Sequence, residues 1–344
     1  MHDKPSVSVI IVNWNGQSYL QDCFYSLAAQ KHKDFEVIFV DNASVDNSVE
    51  TARILASNLK LPIKIVRLST NTGFAKGNNE GLKQCSGKYI ALLNNDTVAS
   101  EDWLKSLVQA MDAHPEVGIC ASLLIVAGTD IVDSAGDCLG SSLRAYKRGE
   151  GLSASLFVTE EFVFGACAGA ALYRKTMIDK IGLFDDDFFL IFEDADLNFR
   201  AQLTGWKCLY VPEAKVQHKV SASIKKIGKL ATFHSVKNDK ALVIKNAPWP
   251  ILLKHFPLYL LEEVCFSLVY HAQNGNILSY FKGNLYFLKN LPRLLRKRKQ
   301  IMQLKKVPTS YLSGLLISVW PIYKKKFSAR VMRLSGMQSP EQKK

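Results

Sequence analysis

Four short apolar runs, each ending in polar residues and each followed by a helix-forming stretch, constrain this chain more than any other feature. Residues 7–12 lead into Asn13-Trp14-Asn15, 36–40 into Asp41-Asn42, 63–68 to Asn71, and 89–93 into Asn94-Asn95-Asp96. Uninterrupted apolar runs of that length read as interior strands of a parallel sheet. Helical patterns over residues 17–30, 47–58, 75–85 and 101–113 separate and follow them, which predicts βαβ units. Ligands of open α/β sheets sit beyond the carboxyl ends of the strands, so the four polar clusters should line one crevice. Asp96, flanked by amides at a strand end, suits a hard divalent cation that also holds a phosphate, because such ions take few protein oxygens. At this point Asp96 and Thr97 could equally cap the helix that follows.

Neither GxGxxG nor GxxxxGK[ST] occurs, which argues against a dinucleotide fold and a P-loop. Gly73, Gly77 and Gly81 recur every four residues and read as close helix–strand packing rather than a phosphate cradle. The seven cysteines form no CxxC pair and are odd in number, which predicts reduced thiols in a cytoplasmic setting and no zinc knuckle. The N-terminus runs directly into a strand with no secretory pattern. No run of about 20 uncharged apolar residues suggests a spanning helix.

Residues 123–159 are irregular and rich in Gly and Ser, and read as loops shaping a pocket. Residues 162–173 read as one core strand. Phe192-Glu193-Asp194-Ala195-Asp196 then places three carboxylates in the first turn of a helix beside Phe188, Phe189 and Phe192. Acids there complement the helix dipole, and Asp196 with Arg200 at i+4 is an ordinary ion pair. Crowding against aromatics also desolvates a carboxylate and raises its proton affinity toward that of a useful base, which singles out Glu193 and Asp194. His218 closes another short strand and is a candidate metal ligand beside Asp96, as neutral imidazole often is.

The ordered segments Val9-Ile-Ile-Val-Asn-Trp-Asn-Gly16, Val40-Asp-Asn-Ala-Ser44, Asn71-Thr-Gly-Phe-Ala75, Leu93-Asn-Asn-Asp-Thr97, Gly182-Leu-Phe-Asp185, Phe192-Glu-Asp-Ala-Asp-Leu197 and Val216-Gln-His218 resemble family 2 glycosyltransferases, especially rhamnosyltransferase-like bacterial members. The resemblance covers residues 7 to about 223 and implies a GT-A fold, an α/β architecture with a mainly parallel central sheet. It further implies that Asn13, Asp41 and Asn71 hold base and ribose, with Asn94 and Asn95 contacting the nucleotide sugar. Asn94 departs from the family's pattern, which begins its metal-binding motif with Asp. Asp96 and His218 would bind Mg²⁺ or Mn²⁺, Asp194 would be the general base, and Glu193 its helper. The implied activity is inverting sugar transfer from a UDP- or dTDP-sugar, dTDP-rhamnose among the options, to a glycan acceptor, lipid-linked, in cell-surface polysaccharide synthesis. A non-catalytic nucleotide-sugar-binding or scaffold protein on the same fold is the alternative.

Charge divides the chain. Residues 1–218 carry 20 Lys+Arg against 27 Asp+Glu, whereas residues 219–344 carry 24 against 4. That predicts an acidic domain over 1–223 and a basic, amphipathic, helical, membrane-associating extension over 224–344. Leu312, Leu315, Leu316, Val319, Trp320 and Tyr323 would share one helical face, bracketed by Lys305-Lys306 and Lys324-Lys325-Lys326, as in a helix lying in a bilayer surface or in a subdomain that packs this face on the body. Arg293, Arg296, Lys297, Arg298 and Lys299 form a second cluster attracted by anionic lipid. These features predict peripheral association with the inner face of the cell membrane. They lack any recognised nucleic-acid module.

Overall fold

Side chains alternate across a strand with period two, and here both sides find a core. Val7, Val9 and Ile11 enter one apolar cluster with Val37, Phe39, Tyr89 and Ala91, while Ile10, Ile38, Val40, Ile90 and Leu92 enter the other. The computed structural model describes residues 4–219, 222–321 and 323. Its first half runs β1 (Val7–Asn13), α1 (Gln17–Ala28), β2 (Phe35–Asp41), α2 (Ser48–Leu59), β3 (Ile63–Arg67), α3 (Gly73–Leu82), β4 (Tyr89–Leu93), β5 (Thr97–Ala99) and α4 (Trp103–Ala113). β1 pairs in parallel with β2 and β4, and β2 with β3, so the polar strand ends point the same way. Residues of α1, α2 and α4 pack on one face of the sheet, and Ala75 of α3 on the other. Gly81 is where α3 meets the sheet, since a Cβ there would lie 2.7 Å from Ile10. The packing role expected of these glycines therefore holds for Gly81 and for Gly77, which meets Val12, whereas Gly73 abuts Phe189 instead.

The second half continues with β6 (Val117–Val126), β7 (Val132–Ser134), β8 (Asp137–Gly140), β9 (Ala145–Lys147), β10 (Glu161–Val163), β11 (Ala170–Arg174), α5 (Lys175–Ile181), α6 (Glu193–Leu203) and β12 (Lys207–His218). The ten-stranded sheet follows the order β10-β12-β6-β11-β4-β1-β2-β3, with β5 on β12 and β7 on β6. β11 is antiparallel to both its neighbours, β4 and β6.

Two expectations need correction here. Residues 123–159 are not simply loops, because β6 extends to Val126 and β7, β8 and β9 follow it, with β8 and β9 in a small separate sheet. Residues 162–173 are not one strand. The chain leaves the sheet after Val163 and rejoins it at Ala170. Gly165 passes so close to α6 that a Cβ would lie 2.1 Å from the Asn198 side chain. A run of small apolar residues hides such a detour, because alanine and glycine fit a strand or a tight floor equally well.

The helical region expected after residue 223 comprises α7 (Ala222–Asn246), α8 (Trp249–Glu262), α9 (Val269–Gln273), α10 (Ile277–Leu304) and α11 (Thr309–Gly314), followed by β13 (Leu316–Ile317). It is bonded tightly to the first 218 residues. Lys245, 1% exposed, reaches Asp185 at 2.5 Å and Asp196 at 2.8 Å. Lys297 pairs with Asp185 and Asp187, and the Arg298 guanidinium donates to the carbonyls of Ile244 and Ala247. Two members of the expected lipid-facing cluster therefore turn inward. The expected in-plane helix over 312–323 is also overturned. α11 ends at Gly314, β13 pairs with β8, and Leu312, Val319 and Tyr323 are buried against the body. Strand pairing and packing override a helical period carried by so few residues. Lys324, Lys325 and Lys326 lie outside the described residues.

Candidate functional site

The carboxyl ends of β1, β2 and β4 open on a cavity of about 430 Å³. Its near wall is amide-rich, with Trp14, Asn42, Asn71, Asn94 and Asn95. Its far wall is Cys167–Gly169 and Phe189–Ala195, with Asp137, Ala145, Tyr146 and Lys147 closing one side.

Asn71, Asn94 and Asn95 line the cavity as expected, whereas Asn13 and Asp41 are buried beside it rather than in its lining. Asn13 accepts from the Asn95 amide at 2.6 Å and donates to Ser44 at 3.1 Å. Asp41 accepts from the Ser44 N–H through Oδ2, and its Oδ1 is buried with no partner in the protein. A buried acceptor left open costs free energy unless something donates to it, so Asp41 is poised for an outside donor. Asn42, which sequence reasoning did not single out, organises this wall. Its amide donates to Asn71 Oδ1 and the Gly73 carbonyl, each at 3.0 Å, and its oxygen accepts from the Thr72 N–H at 2.8 Å.

Asp96 is not a helix cap, because Thr97 enters β5 and Asp102 stands at the start of α4. β5 pairs antiparallel with β12, with Thr97 opposite His218. That register brings His218 Nε2 to 3.4 Å from Asp96 Oδ1. The other ring nitrogen, Nδ1, meets Asp133 Oδ2 at 2.9 Å, and Lys147 holds the second Asp133 oxygen at 2.6 Å. Burial opposes charge on His218, but hydrogen bonds to Asp133 and Asp96 outweigh it and push the ring up to about 9. A carboxylate on Nδ1 fixes which nitrogen faces outward, the usual second partner of a metal-bound histidine. Among the described residues no group of three His, Cys, Asp or Glu side chains could hold a metal alone. Asp96 and His218 fit a cation that completes its shell from substrate oxygens.

The far wall collects the buried carboxylates. Asp194 accepts from the Ala168 N–H at 3.2 Å through one oxygen and from the Ala195 N–H at 2.8 Å through the other. Burial raises its proton affinity against those bonds. Burial, then the Asp194 charge, pushes Glu193 up to about 8, and its Oε2 has no partner. Asp137, raised by burial and then by Asp194, accepts from the Asn198 amide at 3.1 Å. Asp196 is different. It is fully buried and paired with Arg200 and Lys245, so its expected pairing role holds.

The loop before α6 is strained. Phe189, Ile191 and Phe192 adopt positive φ of 62°, 68° and 72°. Such conformations cost free energy and persist only where surroundings over-determine them. Here α7 supplies the clamp, as the Asn238 amide donates to the carbonyls of Phe188, Leu190 and Ile191 at 2.9, 2.8 and 2.7 Å. Ring stacking of His234 on Phe189, centroids 4.8 Å apart, adds to it. Nothing in the local sequence of α7 signals that role.

The chain is 23% identical over 286 residues to an uncharacterized glycosyltransferase of Haemophilus influenzae, covering 80% of this chain and 84% of that one. It is 26% identical to a poly-beta-1,6-N-acetyl-D-glucosamine synthase of Staphylococcus epidermidis, covering 60% of this chain and 48% of that protein's length. Among solved structures it superposes on GalNAc-T7 with UDP, GalNAc and Mn²⁺ at a TM-score of 0.57 and 17% identity, covering 71% of this chain and 48% of the other. The chain thus spans about half the length of the last two, and the structural likeness shows a shared GT-A fold. The model of glycosyl transferase family 2 matches residues 8–182, from β1 through the cavity's near wall to the end of α5. A match over that much of the chain, on a sheet whose strand ends form the cavity, shows that it belongs to glycosyl transferase family 2.

Proposed function

We propose that this glycosyltransferase moves a sugar, with inversion, from a uridine or thymidine diphosphate donor to a hydroxyl of a lipid-linked glycan in cell-surface polysaccharide synthesis. The observation that carries the reading is the division of one cavity between the Asp96–His218 pair and the buried Asp194. On this reading the amide wall and the open Asp41 oxygen receive base and ribose. Asp96 and His218 hold Mg²⁺ or Mn²⁺ with the diphosphate. When bound, the cation neutralises the charge that develops on the leaving diphosphate. Asp194 takes the proton of the acceptor hydroxyl as the hydroxyl oxygen bonds to the anomeric carbon and that carbon's bond to the diphosphate oxygen breaks. A carboxylate of raised proton affinity is a better base at neutral pH than an exposed one. The two backbone N–H groups aim Asp194, and Glu193 beside it contacts the acceptor. Supporting the reading are the UDP and Mn²⁺ named with GalNAc-T7 and the polysaccharide synthase among the relatives.

The test is a donor screen by thermal shift, followed by turnover of the stabilising UDP- or dTDP-sugar with added Mn²⁺. Metal-dependent release of the nucleoside diphosphate is expected. Binding without any turnover would favour a nucleotide-sugar-binding protein, the reading that Asn94 in place of an acidic residue keeps open.

A further inference from the structure

α10 is apolar on two faces. Its inner stripe, with Tyr280, Gly283, Phe287 and Leu294, packs toward α7 and the body. A second stripe of Leu278, Phe281, Leu285, Leu288 and Leu295 follows the same three-and-four spacing and is exposed, Leu278 by 74% and Leu288 by 60%. One apolar face is what packing against a protein requires of a helix. The second needs a second occupant. α8 repeats the pattern. Ile251, Leu252 and Tyr259 are buried, whereas Leu253, Phe256 and Leu260 are exposed, Leu253 by 70%.

The two helices form an open antiparallel hairpin whose arms touch near their ends, α10 packing chiefly on α7. Arg298 of α10 lies 4.1 Å from the ring centroid of Trp249 at the start of α8, and Tyr280 donates to Glu263 just past its end. The hairpin's charge is one-sided. Between residues 247 and 321 the only acids are Glu262 and Glu263, both buried. Lys282, Lys289 and Arg296, spaced by seven, run beside the outer stripe of α10, exposed and without an ion pair among the described residues.

We propose that the outward face of the α8–α10 hairpin docks in the plane of an anionic lipid bilayer, with its leucines and aromatics in the acyl boundary and its basic row against the headgroups. Charge selects this occupant. An apolar stripe edged by unpaired cations is the pattern of an interfacial helix, whereas two copies joined face to face would bring like-charged rows together. None of the described helices is long and apolar enough to cross a membrane, so the placement is in-plane. The hairpin lies one helix from the cavity, with Tyr286 of α10 against Phe233 of α7, Phe233 against His234, and His234 stacked on the cavity residue Phe189. A docked hairpin would hold the acceptor side of the cavity close to the lipid surface. This inference replaces residues 312–323 as the docking element.

Sedimentation of the full chain with phosphatidylcholine vesicles, with and without phosphatidylglycerol, tests it without donor, metal or acceptor, so its outcome is separate from that of the transfer reading. The protein should pellet with the phosphatidylglycerol vesicles and be partly released by high salt. Lys282→Glu/Lys289→Glu/Arg296→Glu should weaken that partitioning on the order of 10²-fold or more. Leu285→Glu/Leu288→Glu should weaken binding that survives high salt. Both variants alter only exposed side chains, and the charge variant alone suffices if the leucine pair lowers yield. Wild-type binding that ignores the charge variant would overturn the proposal. So would a protein that ignores both vesicles, including one that forms a dimer dissociated by Leu285→Glu/Leu288→Glu.

Discussion

The two walls of the cavity are built by different means. The near wall is made by strand ends. Asn42, Asn94 and Asn95 line it just past the ends of β2 and β4, Asn13 and Asp41 close β1 and β2 behind them, and short amide bonds among neighbours finish it. The far wall is a strained loop and the first turn of α6, held from behind by charged and amide side chains of α7 and α10. A sheet positions residues through its own register. A loop with three positive φ angles is positioned only by what clamps it. The near wall should therefore tolerate loss of the C-terminal helices' contacts, and the far wall should not.

The largest effect expected is on chemistry. Asp194→Asn should lower kcat by about 10² to 10⁴, the usual share of a positioned base, with donor affinity little changed. Should Glu193→Gln carry the large loss while Asp194→Asn stays active, the two roles are reversed.

Next comes the far wall's support. Lys245→Met removes the cation that Asp185 and Asp196 share, leaving Asp185 to Lys297 and Asp196 to Arg200. Breaking a buried pair this way costs about 3–5 kcal/mol, read as a lower urea midpoint. Asn42→Ala, the comparable change in the near wall, should cost about 1–3 kcal/mol. Equal losses would erase the distinction between the walls. Asn238→Ala should fall in that same range of about 1–3 kcal/mol, and because it frees residues 188–191 it should raise the acceptor KM more than the donor KM.

A further effect is expected on the pH dependence of stability. Folding raises Glu193 from its ordinary carboxyl value to about 8. The native state then keeps a proton that the unfolded chain releases, so stability contributed by this group falls as pH rises between those two values. Glu193→Gln should flatten the decline in unfolding midpoint across that window.

Sequence legibility followed the same division. Apolar runs with polar ends revealed β1 to β4 and most of the near wall, because burial and strand termination are local properties. His218 could be suspected from its place at a strand end. Its approach to Asp96 depends on the pairing of Thr97 with His218, which no local pattern encodes. Asp133 and Lys147 escaped notice because they sit on three-residue strands inside an irregular stretch. Asn42 was visible as part of a polar strand end but not as the residue that ties Asn71, Thr72 and Gly73 together. Asn238 and Lys245 lie more than forty residues from the loop and helix they hold. The outer stripe of α10 was readable in principle. Its significance emerges only once the inner stripe is seen to be already covered.

The measurement that tests the account most directly is calorimetric titration of UDP with and without Mn²⁺ into three proteins: wild type, Asp96→Ala and Asp194→Asn. If the walls divide the work, Mn²⁺ should tighten nucleotide binding in wild type and in Asp194→Asn alike. It should have no effect in Asp96→Ala. An Asp96→Ala protein that gains as much from Mn²⁺ as wild type would contradict the assignment of the diphosphate to the Asp96–His218 side.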